Sequence, residues 1–300
     1  METKDSTLIY AIGDIHGRAD LLKEMLAAIE QDQVNYPAGH KHVIPLGDYV
    51  DRGPDSREVI ELLITRRIPG FQHHALRGNH DERLCQLLTE SNPAWAEMQF
   101  SLCLYDGAAS TFSSYGIAPI DPTLYVPSDG RQIFYKKMTE DINNGVYRLN
   151  SNTQKLIAEI RAKIPSAHLN FLLHLSYYAR FKQFFFVHAG VSPGRPLPGE
   201  PDPSVLQVEM GTKELDPYEQ SVLLTIRDGF LDYKGGFDAI IVHGHVPYNR
   251  VCWARDMEGN LSRIGIDTAA YECGVLSAVR IYDGVDKLTV ESLQVRGQSR

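Results

Sequence analysis

Apolar positions in the first part of the chain alternate between two spacings. Leu8 to Ile12 is an apolar run of strand length, and Asp20 to Ile29 follows with Leu21, Leu22, Met25, Leu26 and Ile29 on one helical face. His42 to Leu46 is a second strand-like run. Pro54 then precedes a helix that turns Val59, Ile60, Leu62 and Leu63 inward, with Asp55 and Glu58 at capping-box spacing. His73 to Leu76 is a third strand. The order strand, helix, strand, helix, strand predicts a layered α/β sheet.

From about Arg83 to Lys182 the pattern changes. Leu84, Leu87 and Leu88, and later Leu156, Ile157, Ile160 and Ile164, stand at helical spacing, and strand signals are few. A mainly helical insertion is expected over about residues 83–182, capping one edge of the sheet. Ser192 to Pro203 is rich in Pro and Gly and reads as a loop. Strands resume at Phe184 to Val187, Ala239 to Val242, Arg263 to Ile266, Leu276 to Ile281 and Leu288 to Leu293. A chain that leaves a sheet for helices and returns to it is expected to be one domain over all 300 residues.

The first three strands end alike, in a glycine and a turn dense in metal-ligand side chains. They are Gly13-Asp14-Ile15-His16-Gly17, Gly47-Asp48-Tyr49-Val50-Asp51-Arg52-Gly53 and Arg77-Gly78-Asn79-His80-Asp81. Two later strands end in Val187-His188-Ala189-Gly190 and His243-Gly244-His245. Sites in open α/β sheets form at the carboxyl ends of strands, so five such turns can converge. Singly, each has a bland reading: a capped helix start, a surface ion pair, a turn. Together and in order they supply carboxylate, imidazole and amide donors, which suit manganese, iron or zinc rather than a thiolate site. Six or more donors exceed one tetrahedral zinc and fit two cations about 3.5–4 Å apart.

Composition narrows the picture. The net charge of −8 argues against an electrostatic grip on nucleic acid or an anionic membrane. Met1 to Tyr10 lacks a basic stretch followed by a sustained apolar run, so no secretory signal is expected. Cys85, Cys103, Cys252 and Cys273 are scattered, which fits reduced thiols in a cytoplasm.

The three motifs resemble the signatures of the phosphoprotein phosphatase family, the metal-dependent serine/threonine phosphatases within the calcineurin-like metallophosphoesterases. The chain resembles the bacterial and phage branch in particular, and the resemblance extends through Val187-His188-Ala189-Gly190-Val191, Gly244-His245-Val246-Pro247 and Gly265-Ile266-Asp267-Thr268. It implies a layered β-sandwich flanked by helices and a pair of divalent metals, manganese by preference with iron or zinc as alternatives. Asp14 and His16 would hold the first metal, Asp48 would bridge, and Asn79, His188 and His245 would complete the second. His80 would protonate the leaving group, oriented by Asp51. Arg52, Arg77 and Arg227 would grip the phosphoryl oxygens. Asp81 is expected to cap a helix.

Three positions depart from the pattern or stay open. Where relatives commonly carry tryptophan near the third arginine, this chain has Thr225. Where many metallophosphoesterases end in Gly-His-x-His, Pro247 replaces the second histidine; the following Val-Pro selects His245 over His243 as ligand. Tyr271 lies near a family site tyrosine, with core packing as its alternative. The implied substrate is phosphoserine or phosphothreonine, with phosphotyrosine included, in a phosphoprotein. A diadenosine-polyphosphate hydrolase shares the fold and metals, but often lacks the equivalent of Asp51. A non-catalytic metal-binding module is the remaining class. No nucleic-acid or membrane partner is expected, and the oligomeric state is open.

Overall fold

The computed structural model describes residues 5–125, 131–199, 202, 204–211, 215–285 and 287–299. In chain order, β1 (Thr7–Ile12), α1 (Ala19–Asp32), β2 (His40–Pro45), α2 (Ser56–Thr65) and β3 (Gln72–His73) open the fold. Six helices follow: α3 (Asn79–Thr89), α4 (Pro93–Asp106), α5 (Ala109–Ser114), α6 (Arg131–Asn143), α7 (Ser151–Lys163) and α8 (Ser166–Leu173). Then come β4 (Tyr178–Phe181), β5 (Phe184–Val187), β6 (Glu209–Met210), α9 (Pro217–Thr225), β7 (Ile240–His243), β8 (Cys252–Arg255) and β9 (Leu261–Gly265). The fold closes with α10 (Ala270–Cys273), β10 (Val275–Asp283) and β11 (Leu288–Arg296).

The strands form two sheets, ordered β11-β10-β1-β2-β3 and β6-β4-β5-β7-β9-β8. Each has a parallel centre: β1, β2 and β3 in the first, β5, β7 and β9 in the second. Alternation along β1 explains the layering. Leu8, Tyr10 and Ile12 pack with α1, α2 and the long helical stretch, while Ile9 and Ala11 face the other sheet. Along β5, Phe184 and Phe186 face the first sheet, and Phe185 and Val187 pack on the opposite side with Leu223 of α9. Both central strands are therefore apolar on both faces, as buried parallel strands must be.

The expected elements form, with differences that have local causes. The third strand is shorter than predicted, since the ladder covers Gln72 and His73 and Leu76 makes only an isolated bridge to Ser176. Asp55 precedes α2 without a side-chain cap, so the capping-box spacing is not used; its backbone N–H donates to Gly17 O at 2.9 Å. The helical stretch ends earlier than Lys182, because Tyr178–Phe181 is a buried strand. Arg180 hides that strand in the sequence: it reads as a solvent residue, yet it is buried and donates to the carbonyl of Gly199. Ser192 to Gly199 is loop, while Glu200, Pro201 and Pro203 of the predicted loop, and Met1 to Lys4, lie outside the described residues. Among the described residues no helix is long and apolar enough to cross a membrane.

Tyr49 ties the ends of β2 and β3 beneath the ligand loops. Its buried hydroxyl donates to Leu76 O at 2.6 Å, with Pro45 O also at 3.0 Å. Tyr49→Phe leaves buried carbonyls without this donor and is expected to lower unfolding free energy by about 1–2 kcal/mol. Urea denaturation of the metal-free protein checks this; an unchanged midpoint would show that water replaces the hydroxyl.

Candidate metal centre

The ligand motifs sit where β1, β2, β3, β5 and β7 end, and their backbones are bent in an uncommon way. Among described non-glycine residues, His16, Asp48, Asp51, Arg52, Lys182, His245 and Ala269 have positive φ. Five of these seven are residues that the sequence assigns to the site. Such backbone costs on the order of 1–3 kcal/mol per residue and persists only where surroundings enforce it. Glycines permit the close approach. A Cβ on Gly78 would lie 2.2 Å from Asp48 N, and one on Gly244 would lie 2.0 Å from Asp14 Oδ1.

Asp48 is the hub. Its Oδ2 lies 3.5 Å from His16 Nε2, 3.4 Å from His188 Nε2 and 3.8 Å from His80 Nε2. Its Oδ1 accepts from His80 N at 3.0 Å. Two donor groups share it: His16 with Asp48 and His80, and Asp48 with His188 and His245, the donor atoms of each lying within 4.8 Å of one another. Asn79 Oδ1 joins the second group, 3.0 Å from His188 Nε2. Asp14 is buried behind them and accepts from His245 N at 3.0 and 3.2 Å. Backbone carbonyls fix two of the rings, with Val50 O 2.8 Å from His16 Nδ1 and Leu46 O 3.1 Å from His188 Nδ1. A proton on Nδ1 leaves Nε2 of each free to ligate.

The electrostatics fit divalent cations. Burial lowers the pKa of His16 to about 3 and pushes those of His188 and His245 down, so all three imidazoles are neutral with lone pairs available. Burial, then Asp267 and Asp48, hold the carboxyl of Asp14 well above its ordinary range. Burial also raises Asp267 to about 6, despite the N–H of Ala269. Crowded carboxylates beside neutral imidazoles call for added positive charge. His245 Nε2 accepts from Arg227 Nε at 3.1 Å, so a guanidinium N–H meets the lone pair a metal would take.

His80 differs from the other imidazoles. Burial opposes its charge, but Asp48 and Asp51 outweigh burial and raise it to about 9. Its Nδ1 lies 2.7 Å from Asp51 Oδ2. Asp51 is held from the helical stretch: Thr111 Oγ1 on α5 donates to Asp51 Oδ1 at 2.7 Å and accepts from Asp51 N at 2.8 Å. Thr111 carries no motif, and sequence reasoning missed it.

A cavity of about 440 Å³ opens over Asp48, with Arg52, Arg227, Asp267 and Tyr271 in its walls. Arg52 donates to Tyr271 Oη at 2.9 Å and lies over its ring, which places Tyr271 at the site rather than in the core. Arg77 is a correction. Its guanidinium turns away from the cavity, pairs with Glu82 and donates to Leu172 O and Leu173 O at 3.0 and 2.9 Å. It joins α3 to α8 and is not placed to grip phosphate. His243 packs against Phe230 and does not line the cavity, whereas His245 does. Asp81 caps α3 through Gly78 N at 3.0 Å, and it also accepts from Asp48 N at 2.8 Å and Tyr49 N at 3.0 Å. Volume alone would not find this site, since openings of about 660 and 500 Å³ lie elsewhere; neither is lined by a carboxylate.

A family profile described as calcineurin-like phosphoesterase matches residues 7–271. A Saccharomyces cerevisiae serine/threonine-protein phosphatase, PP2A-like, is 36% identical over 28% of this chain and 23% of its own. A symmetrical bis(5'-nucleosyl)-tetraphosphatase of Vibrio campbellii is 36% identical over 25% of each chain. The matches thus span about a quarter of these relatives' length. The solved metallophosphoesterase of Sphaerobacter thermophilus aligns over 98% of this chain and 89% of its own, at 16% identity and a TM-score of 0.41.

Asp81→Asn puts an amide nitrogen where one carboxylate faces three N–H groups. We expect it to weaken metal affinity or turnover by roughly 10–100-fold while the protein stays folded. Elemental analysis after dialysis and steady-state rates check this. Wild-type values for both would leave Asp81 a helix cap only.

Proposed function

The chain belongs to the calcineurin-like phosphoesterases, and on that premise we propose that it is a metal-dependent phosphomonoesterase acting on phosphoserine and phosphothreonine in proteins, with phosphotyrosine within its reach. The Asp51–His80 contact at 2.7 Å carries this reading. An alkoxide leaving a serine phosphate is strongly basic and needs a proton as it departs, and a buried carboxylate keeps His80 charged and oriented to give one. A nucleotide polyphosphate is a weakly basic leaving group and gains little from that device.

Asp14, His16 and Asp48 would hold one divalent cation, and Asp48, Asn79, His188 and His245 the other. Bound there, two cations, manganese in this reading, would polarise the phosphoryl group and make an attacking water acidic near neutral pH. Arg52 and Arg227 on the cavity walls would grip the phosphoryl oxygens, a planar guanidinium matching them in bidentate fashion. The same reading treats the chain as one domain with a helical insertion, working on phosphoproteins in a cytoplasm, where its four free thiols would stay reduced.

Hydrolysis of diadenosine polyphosphates is the second reading. Relatives of that name match at 36–37% identity over 25% of this chain, close to the 36% over 28% of the PP2A-like phosphatase. Steady-state kinetics with Mn²⁺ separate the two: the wild type is expected to favour a phosphoserine peptide over diadenosine tetraphosphate, and Asp51→Asn to depress the peptide rate more. Higher efficiency on diadenosine tetraphosphate would sink the phosphoprotein assignment and leave the metal centre standing. His80→Asn should keep its metals and lose roughly 10²–10⁴-fold in turnover of the peptide, but less on p-nitrophenyl phosphate, whose leaving group scarcely needs a proton. Equal losses on both would make His80 a positioning residue. Exhaustive chelation should abolish activity and Mn²⁺ should restore it best; full activity in metal-free protein rules out metal-dependent hydrolysis.

A further inference from the structure

Asp51 and Arg52 are consecutive non-glycine residues with positive φ, at 72° and 68°. One short piece of the helical stretch takes up the backbone N–H of both. Arg52 N donates to Gly107 O at 3.2 Å, in the turn before α5, and Asp51 N donates to Thr111 Oγ1 at 2.8 Å, one helical turn further on. The same helix is pinned to α2, where Arg57 N donates to Ser114 Oγ at 3.1 Å.

Asp51, Ser56 and Thr111 are all buried, so the hydrogen bonds of the two hydroxyls must be met within the protein. A hydroxyl has one proton to give and two lone pairs. The ionised carboxylate of Asp51 can only accept, so the proton of Thr111 Oγ1 goes to Asp51 Oδ1, at 2.7 Å. The lone pairs of Thr111 then receive Asp51 N and, at 3.0 Å, the hydroxyl of Ser56, which is therefore the donor of that pair. Thr111 thus sets the direction of every bond in the network. With Oδ1 taken, Oδ2 faces His80 Nδ1 at 2.7 Å. A carboxylate turns readily about its last torsion, and a donor fixed on each oxygen removes that freedom.

We propose that Thr111 is a positioning residue for proton delivery. It ties one carboxylate oxygen and the backbone N–H of Asp51 to a single hydroxyl, which keeps the other oxygen on His80 Nδ1 and His80 aimed at the departing group. The inference rests on the phosphomonoesterase reading, in which His80 is the acid, and adds to it the residue that holds the acid's partner. Thr111 does not line the metal cavity. Its loss is therefore felt at the leaving group and not at the cations.

The test compares Thr111→Val and Thr111→Ser, each alone and combined with Asp51→Asn, on a phosphoserine peptide and on p-nitrophenyl phosphate, with metal content measured throughout. Thr111→Val is expected to lose roughly 10–100-fold in kcat on the peptide, a share of the roughly 10²–10⁴-fold that a general acid supplies, with KM within about twofold of wild type. On p-nitrophenyl phosphate it should stay within about threefold, because that leaving group scarcely needs a proton. Thr111→Ser should recover most of the peptide rate. Added to Asp51→Asn, Thr111→Val should cost little more, since both act through His80. Wild-type peptide kinetics in Thr111→Val overturn the proposal. So do equal losses on the two substrates, a Thr111→Ser as slow as Thr111→Val, or losses that multiply in the double variant, each of which places the damage in the fold rather than at Asp51. Where Thr111→Val loses its metals or its fold, Thr111→Ala, which drops the hydroxyl without setting a methyl against the carboxylate, is judged by the same criteria. If Asp51→Asn itself slows both substrates equally, the parent reading of His80 as the acid fails, and the role of Thr111 with it.

Discussion

Four carboxylates, those of Asp14, Asp48, Asp81 and Asp267, are buried near one another where the strands of the two sheets end. A buried charge costs several kcal/mol unless donors meet it. Asp81 is met by three backbone N–H groups, Asp14 by the N–H of His245, Asp267 by that of Ala269, and Asp48 by that of His80. Several of these donors come from loops turned into positive φ, at Asp48, His245 and Ala269. Shaping the loops and satisfying the acids are therefore one problem. Of the candidate ligands, His16, Asp48, Asn79 and His245 line the cavity, whereas Asp14, both of whose oxygens accept from His245 N, does not.

That coupling explains how much could be read from the residues alone. Asp14, His16, Asp48, Asn79, His188 and His245 each sit beside or within a glycine-bearing turn after an apolar run, so local chemistry marked the turns and the family resemblance chose the candidate ligands within them. Arg77 failed for the opposite reason. It adjoins a ligand motif, but the destination of a long side chain is set by what packs there, and Glu82 and the end of α8 outcompete the cavity. Thr111 left no trace because a threonine in a helix says nothing of a carboxylate that lies far away in sequence. Asp81 was half legible: the cap follows from its position in α3, whereas the bonds to Asp48 N and Tyr49 N depend on how two loops meet.

The fold divides along the same line. Runs such as Leu8 to Ile12 and Phe184 to Val187 are apolar on both faces and announce buried strands. β4 was concealed by Arg180, a charged residue whose burial is tolerated through carbonyls of a neighbouring loop. β8 alternates half-buried and exposed residues at a sheet edge, where little apolar surface exists to reveal it.

The hydroxyl of Thr111 on Asp51 has a consequence for descent. The candidate metal ligands come from strand ends and the start of α3, whereas Thr111, which donates to the carboxylate of Asp51, comes from α5, in the helical stretch. On the proposed reading, cation binding and proton delivery would thus have separate structural guarantors. A lineage that remodelled those helices could keep its metals and lose its proton donor. Its substrates would then drift from alkyl esters toward anhydrides, whose leaving groups need no proton, without one change among the ligands.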